Sequence, residues 1–363
     1  MPRQLADLDN RTKCKMPFTN AFKMIKFRFL LLIVVINSIS IVNCIEPISI
    51  GIAAGVGAIG FGYFKSQTYC RLYECCDDRS IPGNMTKLYE SLSQTLFGQH
   101  MVQQHVMPAL VAHLKSDSPS RKPLVMSFHG TPGTGKSFVA DQIAQALYVE
   151  GAKSKYVHKY LGRADFAHPG RINEYKERIN REVREFIQDC PRSLFIFDEV
   201  DKMPIGVFDT LTSLVDYAAN VKGTDYTKAI FIFLSNTAGV RISDHLAELM
   251  KKGTQREDTR LSDFEEMLKM SAYNMEGGLK KTNMIEAHVI DHYIPFLALE
   301  KAHIVQCVEA EFQRWHIRPK QQDVNTVVNN AVNYDPKYSM FATSGCKTIE
   351  KKVAMVVNEL RAP

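Results

Sequence analysis

The stretch that most restricts the fold of this chain is GTPGTGKS, which runs from Gly130 to Ser137. It fits the pattern G-x-x-x-x-G-K-[ST], and the apolar segment PLVMSFHG before it predicts a buried strand, whereas Phe138 to Tyr148 after it predicts a helix. Such a loop turns its backbone N–H groups toward a polyphosphate, with Lys136 reaching the β and γ oxygens and Ser137 able to ligate Mg²⁺. The residues predicted to contact the nucleotide here are Gly130, Thr131, Pro132, Gly133, Thr134, Gly135, Lys136, Ser137 and Phe138.

Two further apolar segments end in polar side chains. LFIFDEVDKM carries Asp198 and Glu199 at the end of a predicted buried strand, and FIFLSNTAG carries Asn236 at the end of another. In a phosphate-loop fold Asp198 belongs to the Mg²⁺ shell, and Glu199 can polarise a water for attack on the γ-phosphate. Asn236 could hold that water or a γ-phosphate oxygen, although a simple strand-ending turn would also explain it. Ligands of open α/β sheets bind at the carboxyl ends of strands, so the three motifs favour one shared site. The adjacent Glu199 favours hydrolysis of ATP over transfer of the phosphoryl group to an acceptor.

Strand and helix patterns alternate from about Lys87 onward, which predicts a parallel sheet covered on both faces by helices. After Asn236 no further strand is predicted, and helical patterns dominate from Leu299. A break near residues 290–297, where Pro295 interrupts the pattern, separates the two parts. The predicted fold class is therefore α/β: a phosphate-loop parallel sheet flanked by helices, followed by a small C-terminal helical domain. The other predicted strands are Lys155–Tyr160, Leu194–Phe197 and Ala229–Leu234, and the other helices are Leu88–Leu114, Ile172–Gln188 and Gly206–Ala219.

Composition is that of an ordinary globular chain, because 45% of the 363 residues are apolar and 23% are charged. The net charge of +6 is mild and spread along the chain. No cluster of arginine and aromatic residues of the kind that binds nucleic acid is present, so no nucleic-acid partner is predicted.

The N-terminal region predicts export. A basic stretch from Met24 precedes the apolar run Phe29 to Ile36, and small residues follow, which is typical of a secretory signal; an uncleaved anchor is the alternative. We therefore assign residues 1–44 to a leader and signal peptide. Residues 45–69 contain the glycine-rich apolar run Ile48 to Phe64, whose glycines make a full span marginal and favour an element that dips into a membrane surface.

The eight cysteines allow two interpretations. If the signal is used, the cysteines beyond it fold where disulfides persist. The alternative is a zinc site at Cys70, Cys75 and Cys76, although no second CxxC and no histidine pair accompany them. Asn84-Met-Thr is an acceptor sequence for N-glycosylation, consistent with a lumenal location.

The order of these motifs, followed by SGCK in the helical region, resembles that of AAA+ ATPases of the Clp-type branch. The residues within the motifs are similar to those of torsins. The resemblance runs from about Cys70 to Leu360, and the glycine-rich segment before it also resembles the membrane-associating region of torsins. The supporting stretches are YCRLYECC, QREDTRL, IPFLALEKAHIVQC and SGCKT.

The resemblance implies a role for individual residues. Lys136 and Ser137 would be Walker A, Asp198 and Glu199 Walker B, Asn236 sensor 1 and Lys347 sensor 2, with ATP and Mg²⁺ as cofactors. It also implies a disulfide between Cys307 and Cys346, acting either as a static staple or as a redox-dependent control of how Lys347 is presented.

The resemblance further implies a peripheral membrane ATPase of the endoplasmic reticulum lumen and nuclear envelope. Membrane-anchored lumenal activators would donate an arginine in trans, and the chain would act as a homo-oligomer or as a hetero-oligomer with the activator, on a protein substrate that the sequence does not identify. One departure is Ser137, where torsins usually carry asparagine. Another open alternative is an intrinsic arginine finger at Arg241, Arg256 or Arg260. The loop after the second strand shows no clear aromatic–glycine pair, so substrate threading is not predicted.

These predictions define four segments: residues 1–44, residues 45–69, an AAA+ large domain at 70–292, and a small helical domain carrying sensor 2 at 293–363. The leading functional hypothesis is an ATP-hydrolysing, chaperone-like machine that remodels protein or membrane assemblies. A second hypothesis is an ATP-gated, membrane-associated scaffold with negligible turnover on its own. A phosphate-loop kinase is a third, which the helical domain with Lys347 disfavours.

Overall fold

The computed structural model describes residues 70, 73–115, 120–217, 220–221, 223–331 and 333–361. The chain divides into two units, residues 1–72 and 73–363, and the sheet and helices lie in the second. The signal peptide predicted at 1–44 and the glycine-rich segment predicted at 45–69 lie outside the described residues. Within the described residues, none of the helices has both the length and the apolar character needed to cross a bilayer.

The sheet contains five parallel strands in the order β2-β3-β6-β1-β7, and a separate two-stranded hairpin pairs β4 with β5. The strands are β1 (Leu124–Gly130), β2 (Val157–Leu161), β3 (Leu194–Asp198), β4 (Asn220–Val221), β5 (Thr224–Asp225), β6 (Ile230–Ser235) and β7 (His292–Phe296). The helices in the sheet region are α1 (Met85–Thr95), α2 (Met107–Lys115), α3 (Lys136–Leu147), α4 (Gly162–Asp165), α5 (Ile172–Asp189), α6 (Thr212–Val215), α7 (Gly239–Lys251), α8 (Leu261–Asn274) and α9 (Asn283–Glu286). The C-terminal helices are α10 (Lys301–Arg314), α11 (Gln321–Ala331) and α12 (Ile349–Arg361).

The central strands are mostly apolar because helices cover both faces of the sheet. Every residue of β1 and β6 is buried. Aromatic rings cross from β3 to β6 in register: Phe195 stacks on Phe231 with centroids 4.8 Å apart, and Phe197 on Phe233 at 5.1 Å. This ladder holds the two strand ends that carry Asp198 and Asn236 side by side.

The prediction that no strand follows Asn236 was wrong, because β7 joins the sheet beside β1. Its Pro295 interrupts the sequence pattern, yet an edge strand tolerates proline because one of its sides carries no ladder hydrogen bonds. The predicted boundary between residues 292 and 293 therefore falls inside β7.

The predicted continuous helix from Leu88 to Leu114 was also wrong. Helix α1 ends at Thr95, and a π-helical turn at Val102–Val106 leads into α2. Gly98 between them has φ +67°, a left-handed conformation that ends helices and that glycine adopts without strain. The break turns the chain toward the sheet edge where the phosphate loop lies.

The C-terminal helices α10, α11 and α12 enclose a second hydrophobic core, which we call the lid core. It begins at Leu299, directly after Leu297 and Ala298, which still belong to the core of the sheet. Its buried members are Leu299, Ile304, Val308, Phe312, Val324, Val327, Val328, Ala342, Ile349, Val353 and Val357.

Arg256 fastens the junction between the two cores. Its guanidinium is 3% exposed and donates to the carbonyl oxygens of Gly98 at 2.7 Å and Ala298 at 2.7 Å, and to Glu300 at 3.2 Å. A buried arginine with three satisfied acceptors cannot be withdrawn without leaving them unpaired. Arg256 is therefore a structural residue and not a free arginine finger.

Disulfides cross-link the described part of the chain. Cys76 is bonded to Cys190, which joins the segment before α1 to the end of α5. Cys307 is bonded to Cys346, as the family resemblance implied. The zinc alternative at Cys70, Cys75 and Cys76 fails, because all three sulfurs are disulfide-bonded.

Candidate nucleotide site

The phosphate loop joins the end of β1 to the start of α3. Gly133 and Gly135 have φ +81° and +104°, which only glycine adopts without strain. Helix α3 begins at Lys136, so the unpaired N–H groups of its first turn face the loop, where they favour an anion. Of the other loop residues, Thr134 is buried and donates to the carbonyl of Thr131 at 2.8 Å, whereas Pro132 and Phe138 are exposed.

Lys136 supplies a buried positive charge in this loop. Its Nζ is within 2.8 Å of the Gly130 carbonyl and 2.9 Å of the Thr131 carbonyl, and the residue is 7% exposed. Burial lowers the pKa of Lys136 to about 8, although the carboxylates of Asp198 and Asp201 oppose that change. An ammonium whose hydrogen-bond partners are neutral carbonyls gains strongly from a phosphate oxygen, so the loop fits a polyphosphate.

Ser137 and Asp198 meet at the start of α3 and the end of β3. The Ser137 hydroxyl donates to Asp198 Oδ2 at 2.9 Å, so the two predicted Mg²⁺ ligands are neighbours. Both offer oxygen ligands, which Mg²⁺ prefers, beside the loop that would hold the phosphates. The residues present therefore fit a nucleotide with its Mg²⁺.

Glu199 directly follows β3 with φ +56°, a left-handed conformation uncommon for a side-chain-bearing residue. This backbone turn directs the chain away from the strand immediately after Asp198. The Glu199 side chain is 34% exposed, and its Oε1 lies 3.5 Å from Nε of Arg163 in α4. Non-glycine residues held in this conformation are typical of active sites, where surrounding contacts maintain them.

Asn236 follows β6, the strand between β3 and β1. Its backbone N–H donates to Asp201 Oδ1 at 3.1 Å, and its side-chain Nδ2 lies 3.5 Å from the same oxygen. Asp201 was not predicted as a site residue, although it lies in the motif LFIFDEVDKM. Its side chain is 7% exposed.

The lid contributes the loop Ser344–Lys347, which we call the lid loop. The Cys346 N–H donates to the carbonyl of Gly133 at 3.0 Å. The backbones approach so closely that a Cβ on Gly133 would lie 1.8 Å from Ser344 O, and one on Gly345 would lie 2.3 Å from Gly133 O. Burial is the main cause that lowers the pKa of Lys136, and the nearby charge of Lys347 adds to it.

Gln99, which was not predicted from the sequence, links the phosphate loop to the junction between the two cores. Its side chain donates to the carbonyls of Thr134 at 3.1 Å and Leu297 at 2.8 Å, and accepts from the Leu297 N–H at 2.9 Å. The residue is 3% exposed. No spacing rule marks it, because it lies far from these partners in sequence.

This protein is an AAA+ ATPase. Five features together define that class: the sheet order, the phosphate loop between β1 and α3, the acidic end of β3, the polar end of β6 and the helical lid.

Solved structures share the fold. A closed-state reconstruction of Hsp104 with ATPγS and FITC-casein matches with a TM-score of 0.53 at 15% identity, over 76% of this chain and 47% of that one. An ADP complex of Hsp104 from S. cerevisiae matches with a TM-score of 0.54 at 15% identity, over 80% of this chain and 49% of that one. This chain thus spans about half of those chains, and their likeness concerns the fold.

The sequence comparisons identify the family more narrowly. The Torsin family model matches residues 70–197, and the model described as Torsin-1A, C-terminal domain, matches residues 299–355. A Torsin-like protein of Drosophila melanogaster is 60% identical over 318 residues, which is 86% of this chain and 93% of that protein. A Torsin-like protein of Caenorhabditis elegans is 35% identical over 314 residues, 86% of this chain and 88% of that protein. The chain belongs to the torsin family.

The pKa of Lys136 predicts how nucleotide affinity depends on pH. Phosphate oxygens favour the charged amine, whereas burial favours the neutral one, so binding should select the protonated form. Titration calorimetry with ATPγS at saturating Mg²⁺ should give an affinity that is nearly constant well below the pKa of about 8 and falls about tenfold per pH unit above it.

The matched control is Lys136→Arg, because a guanidinium stays protonated throughout this range. Its affinity should be weaker than that of the natural protein and independent of pH. Wild-type binding that stays constant up to about pH 9 would show that Lys136 is not the group that titrates.

Proposed function

We propose that this torsin-family ATPase hydrolyses ATP to remodel protein or membrane assemblies, in a chaperone-like manner, in the lumen of the endoplasmic reticulum and nuclear envelope. The observation that carries the hydrolytic part is the convergence of Lys136, the Ser137–Asp198 pair, Glu199 and Asn236 at one edge of the sheet. Hydrolysis needs a phosphate cradle, a metal shell and a group that accepts a proton from water, and this edge offers all three.

Each residue has a step that its position supports. Lys136 and the N–H groups of the loop bind the phosphates, and Ser137 with Asp198 would hold Mg²⁺, which would neutralise phosphate charge. Glu199 accepts the proton of the attacking water, because its carboxylate is partly exposed and directly follows Asp198. Asn236 orients that water or contacts the γ-phosphate from the adjacent strand end.

The proposal includes an activating arginine from a membrane-anchored lumenal partner. Arg256 is committed to the junction between the two cores. Arg241 reaches Ser271 of α8 at 3.4 Å, and Arg260 is exposed at the start of the same helix. None of the three has a contact with the phosphate loop among the described hydrogen bonds and ion pairs. An arginine donated in trans is worth about 10³ to 10⁵ in rate in well-studied phosphoryl transfers, so basal turnover should be slow.

The first experiment measures ATP turnover by the purified full chain, with and without lumenal domains of candidate activators. Glu199→Gln should abolish turnover while ATPγS affinity stays within about twofold, because the substitution removes the proton acceptor and not a phosphate ligand. The matched control is Glu174→Gln on the exposed face of α5, which should change neither quantity.

The scaffold hypothesis predicts a different pattern. It requires negligible turnover with every activator tested, together with assembly that depends on ATP binding. That pattern would contradict the hydrolytic proposal, whereas turnover that disappears in Glu199→Gln would contradict the scaffold.

A lumenal location is supported by two features of the described residues. The disulfides Cys76–Cys190 and Cys307–Cys346 persist best in an oxidising compartment. Asn84 is exposed at the start of α1, where its Oδ1 accepts from the Lys87 N–H at 2.9 Å. Because Oδ1 makes the cap, Nδ2 is available to carry a glycan. Peripheral membrane association through residues 45–69 belongs to the same proposal.

Glycosylation tests this location. The full chain expressed in secretory-competent cells should run at lower apparent mass after endoglycosidase treatment. Thr86→Ala should remove that shift, because it destroys the acceptor sequence while leaving the Asn84 cap in place. Asn84→Asp should also remove the shift and retain the cap, since aspartate is an equally good N-cap residue. A wild-type chain whose apparent mass does not change on endoglycosidase treatment would contradict a lumenal location of Asn84.

A further inference from the structure

Asp201 is a buried carboxylate in the helical turn Val200–Lys202, which follows Glu199. Its side chain is 7% exposed, and its Oδ2 is paired with Nζ of Lys202 at 3.2 Å. The other oxygen, Oδ1, faces Asn236, with 3.1 Å to the backbone nitrogen and 3.5 Å to Nδ2. Asp201 therefore contacts the predicted sensor 1 residue through both its main chain and its side chain.

The chemistry of a carboxylate decides how the Asn236 amide is oriented. An ionised carboxylate only accepts hydrogen bonds, so the amide must turn its NH₂ group toward Asp201. The carbonyl Oδ1 of Asn236 and the second hydrogen of its NH₂ then remain for other partners. A carbonyl can accept from an attacking water, and an amide hydrogen can donate to a phosphate oxygen, which are the contacts a sensor 1 residue needs.

Two glycines, Gly277 and Gly278, pack closely against the turn that carries Asp201. The Gly278 N–H donates to the carbonyl of Val200 at 2.8 Å. A Cβ on Gly277, which has φ +131°, would lie 2.6 Å from Asp201 Cα. Backbone approach this close restricts the turn, which limits where the Asp201 carboxylate can lie.

We propose that Asp201 is the positioning residue of sensor 1: it holds the Asn236 amide in the one orientation that can act on the γ-phosphate and the attacking water. The inference rests on the proposed function, because it gives Asn236 a task in ATP hydrolysis. Asp201 itself touches neither water nor phosphate in this account and acts through Asn236.

The test compares Asp201→Ala, Asn236→Ala and the double variant of the full chain, with ATP, ATPγS and ADP as probes. Single-turnover hydrolysis, with protein in excess over ATP, should slow at least about tenfold in each single variant. The double variant should be no slower than the slower single variant, because removing Asp201 takes nothing more once the Asn236 amide is gone. Asp189→Ala, a 62% exposed aspartate at the end of α5, is the control and should be unchanged.

Binding supplies a readout that does not depend on turnover. Sensor 1 concerns the γ-phosphate, so Asp201→Ala should weaken ATPγS binding about threefold or more while ADP affinity stays unchanged. A purely structural role would lower both affinities together with the melting temperature. Asp201→Asn retains an oxygen acceptor and should restore both the hydrolysis rate and the ATPγS affinity toward wild type.

Three results would overturn the inference. The first is a hydrolysis rate in the double variant that is reduced by the product of the two single effects. The second is an equal loss of ATPγS and ADP affinity in both Asp201 variants, and the third is an Asp201→Asn chain that hydrolyses and binds ATPγS no better than Asp201→Ala. Failure of the proposed function is distinct, because it would appear as absent hydrolysis by the wild-type chain. In that case the ratio of ATPγS to ADP affinity still decides the role of Asp201.

Discussion

The nucleotide site depends on one close backbone contact, that of Gly133 in the phosphate loop with Gly345 in the lid loop. No side chain fits between the two backbones, and the Cys346 N–H donates to the Gly133 carbonyl across the gap. The phosphate loop connects β1 to α3, whose apolar side chains lie in the core of the sheet, whereas Cys346 of the lid loop packs against the lid core. One site is therefore built from two separately packed bodies, and neither can move far without disturbing the other.

The other contacts around the site keep these two bodies in one arrangement. The disulfide Cys307–Cys346 ties the lid loop to α10. Gln99 joins the phosphate loop to Leu297 just before the lid begins, and Arg256 joins Gly98 to Ala298. Because these contacts are buried hydrogen bonds or covalent bonds, a shift of the lid is transmitted to the loop that binds phosphates. This gives a physical route by which ATP occupancy and lid position are coupled.

Much of the fold and site could be predicted from the sequence because the relevant signals are local. A buried strand that ends in a polar residue is a short local pattern, which is why the phosphate loop, Asp198, Glu199 and Asn236 could be predicted as site residues. Strand β7 was not predicted because Pro295 interrupts the sequence pattern that would otherwise indicate a strand. Gln99 and Asp201 were not predicted because their contacts at the site are with residues distant in sequence. The pairing of Cys307 with Cys346 came from the family resemblance, since spacing alone does not determine disulfide connectivity.

The most direct test of the two-body site is the ATPγS affinity of Gly345→Ala with the disulfide intact. The added Cβ would lie 2.3 Å from the Gly133 carbonyl oxygen, so the loops must separate, and we expect affinity to fall about tenfold or more. The control is Gly253→Ala, which also has a positive φ, of +93°, but whose added Cβ would meet nothing within 4 Å, and it should bind ATPγS like wild type. Equal affinities for Gly345→Ala and wild type would contradict the account, because the lid loop would then take no part in forming the nucleotide site.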